Sequence, residues 1–177
     1  RLLHHITTSA ASGATLEDAL ETSVKGLQVT MGGDRVSIML LDKDRKVLEM
    51  SASTGYSEEA SNIRLPLDSG ITGWVATHRK PLRVDDVTRD SRYITVSENT
   101  RSELALPLIY RNELLGVLNV ESERQSAYTE NDEEMLGTLA GSLAAVIANA
   151  RLVAQIRRQA ERERLLYEVT SKIRRST

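Results

Sequence analysis

Apolar positions recur along the chain in two alternating periods, and the switches between them mark out the elements. Leu2, Leu3 and Ile6 are spaced for one helical face, and Leu16, Leu20, Val24 and Leu27 continue at helical spacing. Thr15 is placed to cap this second stretch, and Gly32-Gly33 to end it. Residues 35–41 (Arg-Val-Ser-Ile-Met-Leu-Leu) are apolar on both faces, as a strand covered on both sides must be. A polar turn over 42–46 leads to a second strand over 47–53, so the pair reads as a hairpin. A loop follows as far as Leu65-Pro66-Leu67. Asp68 and Ser69 precede a short helix over 71–76, which Pro81 prevents from continuing far.

A short strand over 82–84 enters a long polar segment, 85–100. Strands over 103–110 and 114–121 then make a second hairpin around Arg111-Asn112-Glu113. Pro107 lacks the N–H a ladder needs, which predicts an edge or a bulge at that point. Thr129 with Asp132 forms a capping pair ahead of Met135, Leu136, Leu139, Leu143, Val146, Ile147 and Ala150. Neither Gly nor Pro interrupts the chain between Ser142 and Thr177. The order of elements predicts an α+β fold. A central antiparallel sheet of five to six strands carries the N- and C-terminal helices on one face. The 55–100 region, with its loops and short helix, covers the other, and a long C-terminal signalling helix follows. Long loops over a sheet are where small-molecule pockets form.

Composition narrows the chemistry. The chain has 177 residues, enough for one well-buried domain plus a connector, and opens on Arg1, as a piece excised from a longer protein does. With no cysteine there is no thiolate metal site, disulfide or cysteine nucleophile, and a reducing, cytoplasmic setting is expected. No stretch approaches the ~20 apolar residues of a membrane span, so no membrane contact is expected of this segment. Trp74 and five tyrosines are the only aromatics, too few for a base-stacking surface, and no nucleic-acid partner is expected. Residues 151–177 carry eight Lys and Arg against three acids, but Glu161-Arg162-Glu163-Arg164 interleaves the signs, as a solvated helix does. No phosphate loop or catalytic triad is suggested, and no metal-ligand spacing. His4 and His5 are adjacent and diverge by about 100° on a helix, and His78 lies in a polar stretch.

Several segments in order resemble the GAF domain family. Leu65-Pro66-Leu67-Asp68-Ser69-Gly70-Ile71-Thr72-Gly73-Trp74-Val75-Ala76 is similar to its glycine-containing central stretch, and Leu82-Arg83-Val84-Asp85-Asp86 to the strand and turn that follow. Ser102-Glu103-Leu104-Ala105-Leu106-Pro107-Leu108 and Gly116-Val117-Leu118-Asn119-Val120 resemble its last two strands, and Tyr128-Thr129 with Asp132-Glu133 its final helix start. The resemblance covers about residues 1–153 as a sensory domain and leaves 154–177 as a helical linker into a following module.

The resemblance implies a small-molecule-sensing and dimerisation module of a cytoplasmic signalling protein, with a sensor histidine kinase as the expected parent and an output domain in the same chain. The alternatives are a ligand-free dimerisation spacer, or the effector domain of a transcription regulator or cyclase. Covalent bilin and the cysteine-dependent reduction of free methionine sulfoxide are excluded, no cofactor is expected, and the module is read as regulatory and not as an enzyme. The family's nucleotide-binding branch pairs a lysine with an aspartate. Glu123 stands at the lysine's place here, which sets up a like-charge contact with Asp132 and argues against a cyclic nucleotide. Carried over from that branch, the pocket positions fall on Ser37, Ser51, Ile71, Thr72, Tyr93, Thr100 and Asn119, a hydroxyl-rich set suited to directional hydrogen bonds. Local capping and core satisfaction are the other reading of the same residues. Trp74 reads as core packing, and Arg83 as the partner of Asp85 or Asp86.

A heptad register from Asn149 runs through Leu152, Ile156, Gln159, Glu163, Leu166, Thr170 and Ile173, half of it polar. It predicts a weak parallel homodimer with Leu152, Ile156, Leu166 and Ile173 in the seam. Residues 1–8 and 164–171 share the pattern R-L-L-x-x-(I/V)-T-(T/S), from which a second module directly after Thr177 is expected, either sensory or a kinase-type dimerisation helix.

Overall fold

The computed structural model of the protein describes residues 15–175. The leading helix expected from Leu2, Leu3 and Ile6, with His4 and His5 and the first copy of the repeat, lies outside the described residues. Helix α1 (Leu16–Met31) begins where expected. The Thr15 hydroxyl accepts from the Asp18 N–H while the Asp18 carboxylate accepts from the Thr15 N–H, and Gly32 ends the helix at φ +62°.

Six strands follow: β1 (Arg35–Asp42), β2 (Val47–Thr54), β3 (Arg64–Pro66), β4 (Leu82–Val84), β5 (Ser102–Tyr110) and β6 (Glu113–Ser122). They form one antiparallel sheet in the order β3-β2-β1-β6-β5-β4. The β5–β6 hairpin closes through Arg111 and Asn112, both at positive φ, the two-residue geometry that matches strand twist. Strand β3 was expected to be loop. It pairs with only three residues of β2, too short a run to show a period. Pro107 is tolerated because β4 reaches only as far as Ala105 on that side, and the β5–β6 register shifts just beyond it, at Leu108.

The core lies in two layers, one on each face of the sheet. On one face Val36, Ile38, Leu104, Leu106, Leu118 and Val120 pack against Leu20, Val24 and Leu27 of α1 and Leu136, Leu143 and Ile147 of α3 (Glu130–Arg175). On the other, Met39, Leu48, Ala105 and Val117 pack against Ile71, Val75 and Ala76 of the short helix α2 (Gly70–His78). Each strand therefore sends alternate residues to the two layers. Helix α3 starts at the expected capping pair, Thr129 with Asp132, and runs 46 residues without a break.

Several sequence expectations are revised here. An 18-residue window of α3 reaches a mean hydropathy of 1.5 with few charges, so this helix is long and apolar enough to cross a membrane. Small residues such as Ala140 and Ala144 raise its hydropathy, and Leu136, Leu139, Leu143 and Ile147 pack in the core layer on the sheet. Trp74 packs against the core as expected but is only half-buried: it stacks on His78 with ring centroids 4.1 Å apart and lies under the Arg92 guanidinium. Glu123 pairs with Arg35 at 3.2 Å and Asp132 is held by Thr129, so the expected contact between the two acids is absent among the described interactions. Arg83 reaches Asp85 at 3.9 Å, but Glu133 is nearer at 3.4 Å.

Candidate functional site

A small cavity of about 30 Å³ lies between the sheet and the 56–96 segment. Its floor comes from strand residues of one parity: Ser37 and Met39 on β1, Glu103 on β5, Asn119 and Glu121 on β6. Met50 of β2 and Ile63 and Leu65 form an apolar side. Gly70, Ile71 and Thr72 at the start of α2 face them, and Tyr93, Ile94 and Val96 close the top.

Of the residues expected at a pocket, Ser37, Ile71, Thr72, Tyr93 and Asn119 line this cavity. Thr100 stands one step behind it, donating to Glu121 at 2.7 Å and accepting from Arg35 at 3.1 Å. Ser51 does not reach it. Ile38 pairs with Ala52 and Met39 with Met50, so Ser51 is the extra residue of a β-bulge, and its hydroxyl bonds the Glu49 carbonyl at 3.2 Å. The bulge also switches faces: Leu48 and Met50 belong to the cavity side, while Ala52 packs with the helices.

Sequence reasoning missed the acidic floor. Glu103 and Glu121 are directly opposite each other on β5 and β6, and each is 4% exposed. Glu121 accepts from the Tyr56 hydroxyl at 2.6 Å, from Thr100, and from the Asn119 amide at 3.2 Å. The Arg35 guanidinium, itself buried, lies 3.5 Å from it. Burial works against the charge on Arg35, but its bond to Glu123 and the field of Glu121 outweigh this and raise its pKa. Glu103 has no such cation. Burial, and then the charge of Glu121, push its pKa well above the carboxylate range, and the Asn119 amide offsets this only in part. Burial beside Glu121 likewise pushes the Tyr56 phenol up. A signal for the pair was present. Glu121 shares parity with Asn119, and an acid on a strand covered on both faces must point into one of the two layers.

Among the described residues there is no cluster of His, Cys, Asp or Glu arranged to hold a metal. The arrangement suits reversible recognition: polar groups fixed on rigid strands below, and an irregular segment above.

The GAF domain family model matches residues 13–148. A protein of the phosphoenolpyruvate-dependent phosphotransferase system of Escherichia coli strain K12 is 30% identical over 157 residues, covering 86% of this chain and 21% of that protein. The chain thus spans about a fifth of the length of the first curated relatives it matches. The crystal structure of the GAF domain from Acinetobacter phosphoenolpyruvate-protein phosphotransferase shares 29% identity at a TM-score of 0.76, covering 87% of this chain and 95% of that one. Free methionine-R-sulfoxide reductase from Neisseria meningitidis, solved in complex with its substrate, shares 25% at a TM-score of 0.77, covering 86% and 89%. The six-stranded sheet, the helices on one face and the α2 segment over the other are the fold of these structures, and the match runs through most of the sequence: the chain belongs to the GAF domain family.

Proposed function

We propose that the domain is a non-catalytic sensor, which binds a small molecule in this cavity and passes its occupancy to an output domain in the same chain through α3. One observation carries the reading. Strands β5 and β6 present Glu103, Asn119 and Glu121 to the cavity, while the alternate residues Leu104, Leu106, Leu118 and Val120 pack in the layer that holds α3. A shift of these strands toward a ligand is therefore felt on the opposite face by the helix that leaves the domain. The relatives named above include phosphotransferase-system proteins, which fits a signalling parent. Within that class a cytoplasmic sensor histidine kinase remains the specific proposal.

The second half of α3 supports a homodimer. Leu152, Ile156 and Leu166 of the expected seam are more than half exposed, as is Ile173, on a helix that runs on after its last fully buried residue, Ile147. A second copy of the same helix covers that stripe in a parallel pair, with the polar positions Gln159 and Glu163 keeping the pair weak enough to shift.

Thermal unfolding in a metabolite panel tests the sensor reading. At least one compound is expected to raise the midpoint of the wild type and to leave a cavity-filling M50W variant unmoved. Failure of every compound would favour the ligand-free spacer.

A further inference from the structure

Resting on the sensor reading, we infer that the ligand carries a protonated amino group, received by the Glu103 carboxyl with the side-chain oxygen of Asn119 as a second acceptor. Most donors around the floor are engaged with its acids. Tyr56 and Thr100 donate to Glu121, the Asn119 amide serves Glu121 and Glu103, and Arg35 donates to Glu123 and Thr100 while its Nε lies 3.5 Å from Glu121 without a hydrogen bond. Of the side chains lining the cavity, the buried polar atom left without a partner is an acceptor. The Asn119 oxygen is buried with no hydrogen-bond partner, and Glu103 has no cation beside it. An anion would meet two carboxyls with no uncommitted positive charge, a strongly unfavourable placement in a desolvated site.

The surroundings of Glu103 are the same on every side. Glu121 and Asn119 face it from β6, Arg35 and Ser37 lie beyond them on β1, and Asp90 adds a further negative field from the segment above. Tyr56 and Tyr93 supply phenols, and Ile71 and Thr72 of α2 bring no charge. The free protein accommodates this by keeping a proton on Glu103. When an ammonium enters, that proton leaves to solvent and the carboxylate pairs with the cation. One ammonium exchanges for one proton, and the cavity's net charge is unchanged. About 30 Å³ admits little more than such a head group. Met39, Met50, Ile63 and Leu65 offer an apolar wall to an aliphatic stem, which the 93–96 segment must move to admit. The class is an aliphatic amine that carries no anionic group.

Calorimetric titration of the full chain with n-butylamine and other primary alkylamines, beside n-butanol and the matching alcohols, tests this. Proton release is read with a pH electrode in weakly buffered solution near neutral pH. At least one amine-bearing probe is expected to bind and to release up to one proton per site, with the uncharged partner of each pair inactive. E103Q should lose proton release and about tenfold or more in affinity. Should E103Q fold poorly, the carboxyl carbon resonance of Glu103 in the wild type must move to its ionised position on binding. A tightest binder without a cation, or amine binding with no proton released, overturns the inference and leaves the sensor site standing. If no compound of any charge enters the cavity, the sensor reading falls with it.

Discussion

Glu103 and Glu121 stand directly opposite each other on the two strands that also hold the C-terminal helix, but only Glu121 has an arginine. One acid thus has an arginine and three hydrogen-bond donors in place, and the other is a carboxyl without a cation, its pKa raised by burial and by Glu121. The asymmetry gives the floor of the cavity a structural half and a responsive half.

The structural half should behave as a buried ion pair. R35M removes the cation beside Glu121 and is expected to cost about 3–5 kcal/mol of stability, because the carboxylate is left desolvated and unpaired. R35M with E121Q should cost clearly less than the sum of the two single changes. Urea unfolding of the four proteins measures this, and additive losses would show that the pair is not coupled.

The responsive half should appear in the pH dependence of stability. Below the ordinary value of 4.5 the folded and unfolded chains both hold the Glu103 proton, which then adds nothing. Above it the unfolded chain releases the proton while the folded chain retains it. Stability therefore falls with rising pH, by about 1.4 kcal/mol per unit, until the folded group also ionises. E103Q has no such proton, so its advantage over the wild type should widen as the pH rises above that ordinary value. Asp34 and Asp90 act in the opposite direction. Burial raises both, but hydrogen bonds to Asp34 from the Glu123 N–H and Ser122, and to Asp90 chiefly from Arg92, leave both lowered. They add stability as pH rises through the acid range, equally in both proteins. Parallel denaturation curves for wild type and E103Q would contradict a raised Glu103.

The exposed stripe of α3 predicts the assembly state. The wild type should be dimeric by light scattering at high micromolar concentration, and I156E with L166E should be monomeric with an unchanged midpoint for the sheet domain. A monomeric wild type would remove the dimer.

The fold was legible because each long element has one clear period. Leu16 to Leu27 keeps helical spacing, 35–41 and 114–121 are strands apolar on both faces, and Thr129 with Asp132 marks the start of α3. Strand β3 was not, since three residues carry no period. At the site, residues on regular strands or at the start of α2 came out on the cavity side: Ser37, Asn119, Ile71 and Thr72. Ser51 did not, because a bulge is set by pairing with Ile38 and Met39, which its own neighbours do not encode. Glu103 and Glu121 were hidden for another reason. Strand parity points Glu121 to the Asn119 side, but the facing of Glu103 and Glu121 beside Arg35 is set by strand register, which the local sequence does not encode.

The methionine methyl groups offer the most direct view of the central claim, that a small molecule occupies this cavity. Of the four methionines, Met39 and Met50 line it, while Met31 packs at the end of α1 and Met135 is exposed on α3. In a protein labelled at these methyls, a binding compound from a metabolite panel is predicted to shift the Met39 and Met50 resonances and leave Met31 and Met135 in place. Shifts confined to Met31 and Met135, or no shift with any compound, would contradict a ligand site between the sheet and α2.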